Sequence, residues 1–169
     1  MKEASGWRLL PVTLAVILLD QFTKELILNN LVPYESIPVL PVLNITLMYN
    51  PGAAFSFLAD AAGWQRWFFT ALSLGVCAGI VVWLRKLQAR SQGLLACSLA
   101  LILGGALGNA IDRIKLGHVI DFIHVHWNAA YFPAFNVADS SITVGAALLL
   151  LDAFLEGRRK KREYASPAG

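Results

Sequence analysis

Asp121 and Asp139 flank a short aromatic-rich loop in a chain otherwise dominated by long apolar runs, and Asp139 falls on the opening turn of the last of those runs. A carboxylate at such a low-dielectric border ionises only at a cost. Two that meet there can share one proton, so that one acts as base while its partner acts as acid. Asp139 alone would also be expected from helix electrostatics, since a carboxylate in a first turn stabilises the free N–H groups. That bland account leaves Asp121 unexplained.

The elements that must position the two are hydrophobic helices. Of 169 residues, 57% are hydrophobic and only 15% charged, against about 25% charged in an average soluble domain. A helix of about 20 residues rises about 30 Å, the thickness of the hydrocarbon layer. Four stretches are apolar enough to cross it: about 9–28, 67–84, 94–111 and 136–155. The second and third contain no charge. Cys77 and Cys97 lie within them, where a thiol is an ordinary small apolar residue and no disulfide framework is implied.

Ten of the 14 Lys and Arg residues fall before the first span (Lys2, Arg8), between the second and third (Arg85, Lys86, Arg90) or after the fourth (Arg158, Arg159, Lys160, Lys161, Arg162). The positive-inside rule then puts both termini in the cytoplasm and the two large connections, with both aspartates, at the outer face. The net charge of +3 follows from this bias and gives no reason to invoke nucleic acid. Lys2 and Arg8 ahead of LLPVTLAVILL resemble a cleaved signal peptide, but no small-x-small cleavage site follows. Asp20, Thr23 and Lys24 continue at helical spacing instead, which favours a retained helix in which Asp20 and Lys24 pair on one face. That couple has a purely structural reading, the ordering of helix packing.

The first outer connection is more than a loop. Leu43 to Tyr49 alternates, which predicts a half-buried strand with Leu43, Ile45, Leu47 and Tyr49 on one face. Pro33, Pro38, Pro41 and Pro51 keep any sheet small, and the run from Asn50 to Ser56 reads as a turn through Gly52 into another extended piece. Such a sheet would rest on lipid and hold an extended peptide, or only plug the bundle. Near the outer end of the third span, Gly104 and Gly108 permit close helix contact. Asn109, Asp112 and Arg113 follow, three polar side chains at helical spacing. A structural role, with Arg113 snorkelling and Asn109 bonding across helices, stands beside a functional one. His124 and His126 with Asp121 suggest a metal site, yet the spacing matches no established ligand motif. Trp127, Tyr131 and Phe132 suit an interfacial belt or a groove for an acyl chain.

Five blocks in order, DQFTK at 20–24, NPGAA at 50–54, GNAIDR at 108–113, VIDF at 119–122 and FNVADS at 135–140, make the chain similar to bacterial lipoprotein signal peptidases, the signal peptidase II family. The resemblance covers nearly the whole chain. It implies one membrane-embedded peptidase domain over 1–169, a bundle of four transmembrane helices with a small extracytoplasmic antiparallel β-sheet cradle at about 29–65. It implies an aspartyl endopeptidase of the bacterial inner membrane that removes the signal peptide of a diacylglyceryl-modified prolipoprotein, cutting before the lipidated cysteine. Asp121 and Asp139 would then be the catalytic dyad, with no metal or organic cofactor. Asn50, Gly52, Asn109, Arg113 and Asn136 would hold the substrate backbone or orient the dyad, and Asp20, Lys24 and Asp112 would support it. The expected partners are the prolipoprotein and membrane lipid, with the enzyme a monomer.

Three other readings use the same residues. A small ion-coupled transporter also places carboxylates in a bundle, but near the midplane and with repeated halves, and no internal repeat is present. A non-catalytic assembly scaffold would tolerate Asp-to-Asn exchange at both positions. A Ser/Lys protease would use Ser140 or Ser141 with Lys115 or Lys24, which no spacing pairs.

Overall fold

The computed structural model describes residues 6–52, 63–87 and 92–165. A 3-10 turn at Gly6–Leu9 leads into α1 (Leu10–Asn30), followed by β1 (Ser36–Leu40), β2 (Leu43–Asn50), α2 (Trp64–Lys86), α3 (Gly93–Leu116), β3 (Val119–Trp127), β4 (Ala130–Tyr131) and α4 (Val137–Ala165). The extended piece expected at 53–56, Lys2 and Arg90 lie outside the described residues.

Among the described residues, three helices are long and apolar enough to cross a membrane: α2, α3 and the Val137–Arg162 stretch of α4. α1 is of similar length but carries Asp20, Lys24 and Glu25 in its second half, so its apolarity alone does not mark a fourth span. α3 is the centre of the bundle, with 67% of its most apolar stretch buried against 22% in α2 and 17% in α4. Close approach explains why. A Cβ on Gly104 would come within 2.7 Å of Val16 on α1, and one on Gly108 within 2.6 Å of the Asp20 carboxylate. Small residues thus let α1 lie against α3 backbone to backbone, and Thr13 Oγ1 donates across the same seam to the Ala100 carbonyl at 2.9 Å. The half of the bundle farther from the sheet is packed mainly by apolar side chains, built on Cys77, Ile80, Leu84, Leu95, Leu99 and Leu103.

The four strands form one antiparallel sheet in the order β1-β2-β3-β4. Only half of it comes from the segment the sequence marks as the cradle. α1 runs on to Asn30, and the second outer connection, read as a loop, supplies β3 and β4. Those two meet at a two-residue turn in which Asn128 takes a left-handed φ of 52°, the geometry such hairpin turns require. The alternation expected along β2 also fails in part. Ile45 pairs with Ile123 but Met48 pairs with Asp121, so one extra residue is accommodated between them. A bulge of this kind reverses the phase of the side chains, which is why Thr46 and Leu47 are both buried while Tyr49 is exposed.

Candidate active site

The register of β3 brings the two aspartates together. Phe135 forms an antiparallel bridge with Ile123, its N–H donating to the Ile123 carbonyl at 3.1 Å and its carbonyl accepting from Ile123 N–H at 2.8 Å. Asp121 lies just before one side of that bridge, and Asn136, α4 and Asp139 follow the other. Asn136 closes the gap between the carboxylates. Its Nδ2 donates to Asp121 Oδ1 at 2.7 Å, and also reaches Ile120 O at 3.1 Å and Asn109 Oδ1 at 3.2 Å. Its Oδ1 accepts from Asp139 N–H at 2.9 Å while its own N–H donates to Asp139 Oδ2 at 3.3 Å. That reciprocal pair is a capping box. Sequence therefore fixes the start of α4 and the bearing of Asp139 in one motif.

Each carboxylate has a second amide. Asn109 Nδ2 donates to Asp139 Oδ1 at 2.7 Å, and Asn50 Nδ2 donates to Asp121 Oδ2 at 3.0 Å. Asn50 is steadied by its own turn, its Oδ1 accepting from Gly52 N–H at 2.9 Å. Gly52 takes a φ of +114° and faces the Phe69 ring, where a Cβ would approach within 2.8 Å. Only glycine fits there.

Behind the pair lies a buried ionic layer. Lys24 Nζ sits 2.8 Å from Asp20 Oδ2, 2.7 Å from Asp112 Oδ2 and 3.0 Å from Asn109 Oδ1. The lysine needs acceptors, so it holds the oxygen of Asn109 inward and leaves the amide nitrogen for Asp139. Asp20 Oδ1 accepts from Ala138 N–H at 2.9 Å, in the first turn of α4. Asp112 accepts from Gln21 Nε2 at 2.8 Å and Ile120 N–H at 3.3 Å. Asp20, Lys24, Asn109, Asp112, Asp121 and Asn136 are all buried.

Burial, and after it the Asp139 charge, pushes the Asp121 carboxyl up from 3.8 to about 6, while the hydrogen bonds from Asn50 and Asn136 and the Lys24 charge pull the other way. A buried carboxyl that ionises near neutrality and a second carboxylate anchored to the same residue, Asn136, can together activate a water and protonate a carbonyl. Arg113 stands beside them. Its guanidinium interacts with the charges of Asp139, Asp121 and Asp112 and lies 5.6 Å over the Phe69 ring, and its Nε is buried without a hydrogen-bond partner.

All ten residues singled out in the sequence lie in or against this constellation, Gly52 through its turn. The histidines do not. On β3 the side chains alternate, which places His124 and His126 on the face opposite Asp121, where both contact the Tyr131 ring. Ser140 and Ser141 donate to the carbonyls of Asn136 and Leu101, both at 2.9 Å, and Lys24 is committed to its ionic layer. No Ser/Lys pair forms there. Sequence reasoning passed over Gln21, Arg66 and Phe69. Gln21 sat inside a quoted motif, and a cation at the mouth of an apolar helix was the available signal for Arg66.

Residues 12–155 match the protein family described as signal peptidase (SPase) II. The chain is 56% identical over 154 residues to a lipoprotein signal peptidase of Pseudomonas putida, covering 90% of this chain and 88% of that one. It is 49% identical over 158 residues to one of Shewanella pealeana, covering 94% and 92%. A solved structure described as a bacterial membrane enzyme superposes with a TM-score of 0.80 at 31% identity, over 95% of this chain and 96% of that one.

Proposed function

We propose, because this chain belongs to the signal peptidase II family and is thereby an aspartic peptidase of bacterial lipoprotein processing, that Asp121 and Asp139 are its catalytic dyad. The pair removes the signal peptide of a diacylglyceryl-modified prolipoprotein by cutting before the lipidated cysteine. One carboxylate takes a proton from water as that water attacks the scissile carbonyl. The other gives a proton to the developing oxyanion, and no covalent intermediate forms. The observation that carries this reading is that one residue, Asn136, anchors both acids, its side-chain amide donating to the Asp121 carboxylate and its backbone N–H to that of Asp139.

Asn109 and Asn50 orient the dyad, Arg113 and Asn136 meet the peptide backbone, and Asp20, Lys24 and Asp112 hold the layer beneath. The whole chain acts as one domain in the inner membrane. α1 serves as a fourth span, its ionic face turned inward onto α3. Both termini lie in the cytoplasm, as the cationic residues require, and the dyad lies at the outer face, where the acyl chains stay in lipid while the peptide reaches water. The sheet forms a cradle for the peptide, the enzyme works as a monomer, and no metal or organic cofactor takes part.

Purified protein in detergent, given lipidated and unlipidated precursor peptides with and without chelator, tests this directly. Cleavage only of the lipidated peptide, indifferent to chelator and lost in Asp121→Asn and Asp139→Asn, is the expected result. Full turnover in either variant ends the dyad.

A further inference from the structure

Resting on the reading that Arg113 meets the substrate, we propose that Arg66 and Phe69 of α2 are positioning residues that hold Arg113 ready for the peptide. Arg66 Nε donates to the Arg113 carbonyl and its Nη2 to the Ile114 carbonyl, both at 2.7 Å. These are carbonyls at the end of α3, where backbone acceptors outnumber the N–H groups left to meet them. A forked cation there is favoured by geometry and by the helix dipole. The same Arg113 carbonyl accepts from Gly117 N–H at 3.2 Å, where the chain turns through a φ of 86° into β3. Arg66 thus fixes the backbone of Arg113 at the point where α3 gives way to the strand bearing Asp121.

Phe69 lies one turn on along the same face of α2 and fixes the other end of the residue. Its ring supports the Arg113 guanidinium at 5.6 Å, within the range where a cation is held over an aromatic face. It also abuts Gly52, the residue that steadies Asn50. One ring therefore touches the turn that serves Asp121 and the arginine beside the dyad.

The charge balance shows why such a brace is needed. Asp139, Asp121 and Asp112 all attract the Arg113 guanidinium, yet among the described residues none of them lies within ion-pair distance of it. An arginine free to follow that attraction would close on a carboxylate and neutralise the acid the chemistry depends on. Here it stays on the ring, with Nη1 reaching only the Asn109 carbonyl at 3.4 Å and Nε buried without a partner.

Steady-state cleavage of the lipidated precursor peptide by full-length enzyme in detergent tests the brace. Phe69→Leu removes the ring but keeps apolar bulk, and it should raise KM by about 5-fold and lower kcat as well, since Arg113 is then free to close on the dyad. Phe69→Tyr keeps the ring and should restore KM. Arg66→Lys cannot fork to two carbonyls and should raise KM likewise, which decides the matter even if Phe69→Leu fails to fold. In an Arg113→Gln background, Phe69→Leu and Arg66→Lys should each have no further effect on KM. An unchanged KM in both single variants, or a rise just as large without Arg113, overturns the proposal. If Arg113→Gln itself leaves KM unchanged, the reading of Arg113 as a substrate contact has failed, and the brace falls with it.

Discussion

The two ends of the bundle are packed by different physics. Away from the sheet, Cys77, Ile80, Leu84, Leu99 and Leu103 fill space with contacts that have no preferred direction. At the site end, Asp20, Lys24, Asn109, Asp112 and Asn136 are as deeply buried but meet one another through directional bonds of 2.7–3.3 Å. In lipid the first kind of packing is gained with little help from the hydrophobic effect, while the second is enforced because an unpaired polar group has no water to turn to. The apolar half can therefore yield a little without consequence. The polar half cannot shift one member without misdirecting the next.

That contrast makes graded demands. The largest effect belongs to Asp121→Asn and Asp139→Asn, which should lower kcat by about 10²–10⁴-fold with the thermal unfolding of the detergent-solubilised protein still cooperative. Next comes Lys24→Met. It leaves Asp20 and Asp112 buried without their cation, which should cost about 3–5 kcal/mol of stability and lower kcat as Asn109 loses its orientation. If unfolding temperature and kcat both survive that change, the site end is not the directional network described.

A milder change sharpens the comparison instead of breaking it. The Asp121 carboxyl is held near 6, so in the free enzyme the pair keeps its shared proton below that value and loses it above. kcat/KM should fall as pH rises through about 6. Bound substrate expels further water, which favours the protonated form, so the matching limb in kcat should lie higher. Asn50 stabilises the ionised carboxylate, and Asn50→Ala should move the kcat/KM limb upward. A downward shift would contradict the bond at 3.0 Å. The smallest effect on chemistry is expected from Leu99→Ala in the apolar half. It should lower stability by about 2 kcal/mol, near the low end for such cavities because the alternative to burial is lipid, and leave kcat/KM unchanged.

The sequence carried the site further than the fold around it. Asp20 with Lys24 and Asn109 with Asp112 were legible because helical periodicity places residues three and four apart on one face, and the place of Asp139 because a carboxylate is favoured in a helix's first turn. The strand pairing was not. Nothing in VIDFIHVHW marks it as the partner of LNITLMYN, since β3 is buried on both faces at its start and shows no clean alternation. The bulge between Ile45 and Met48 was equally hidden, being a property of the pair and not of either strand. Apolarity alone left α1 the least clear span, because Asp20, Lys24 and Glu25 dilute its signal. Arg66 and Phe69 were missed because their work is done on backbone atoms and ring faces, which leave no spacing pattern.

The bond from Ala138 N–H to Asp20 joins the first long helix to the last across 118 positions of the chain. During synthesis the acceptor emerges early and its donor last, so the Asp20 carboxylate must wait for the final helix before this bond can form.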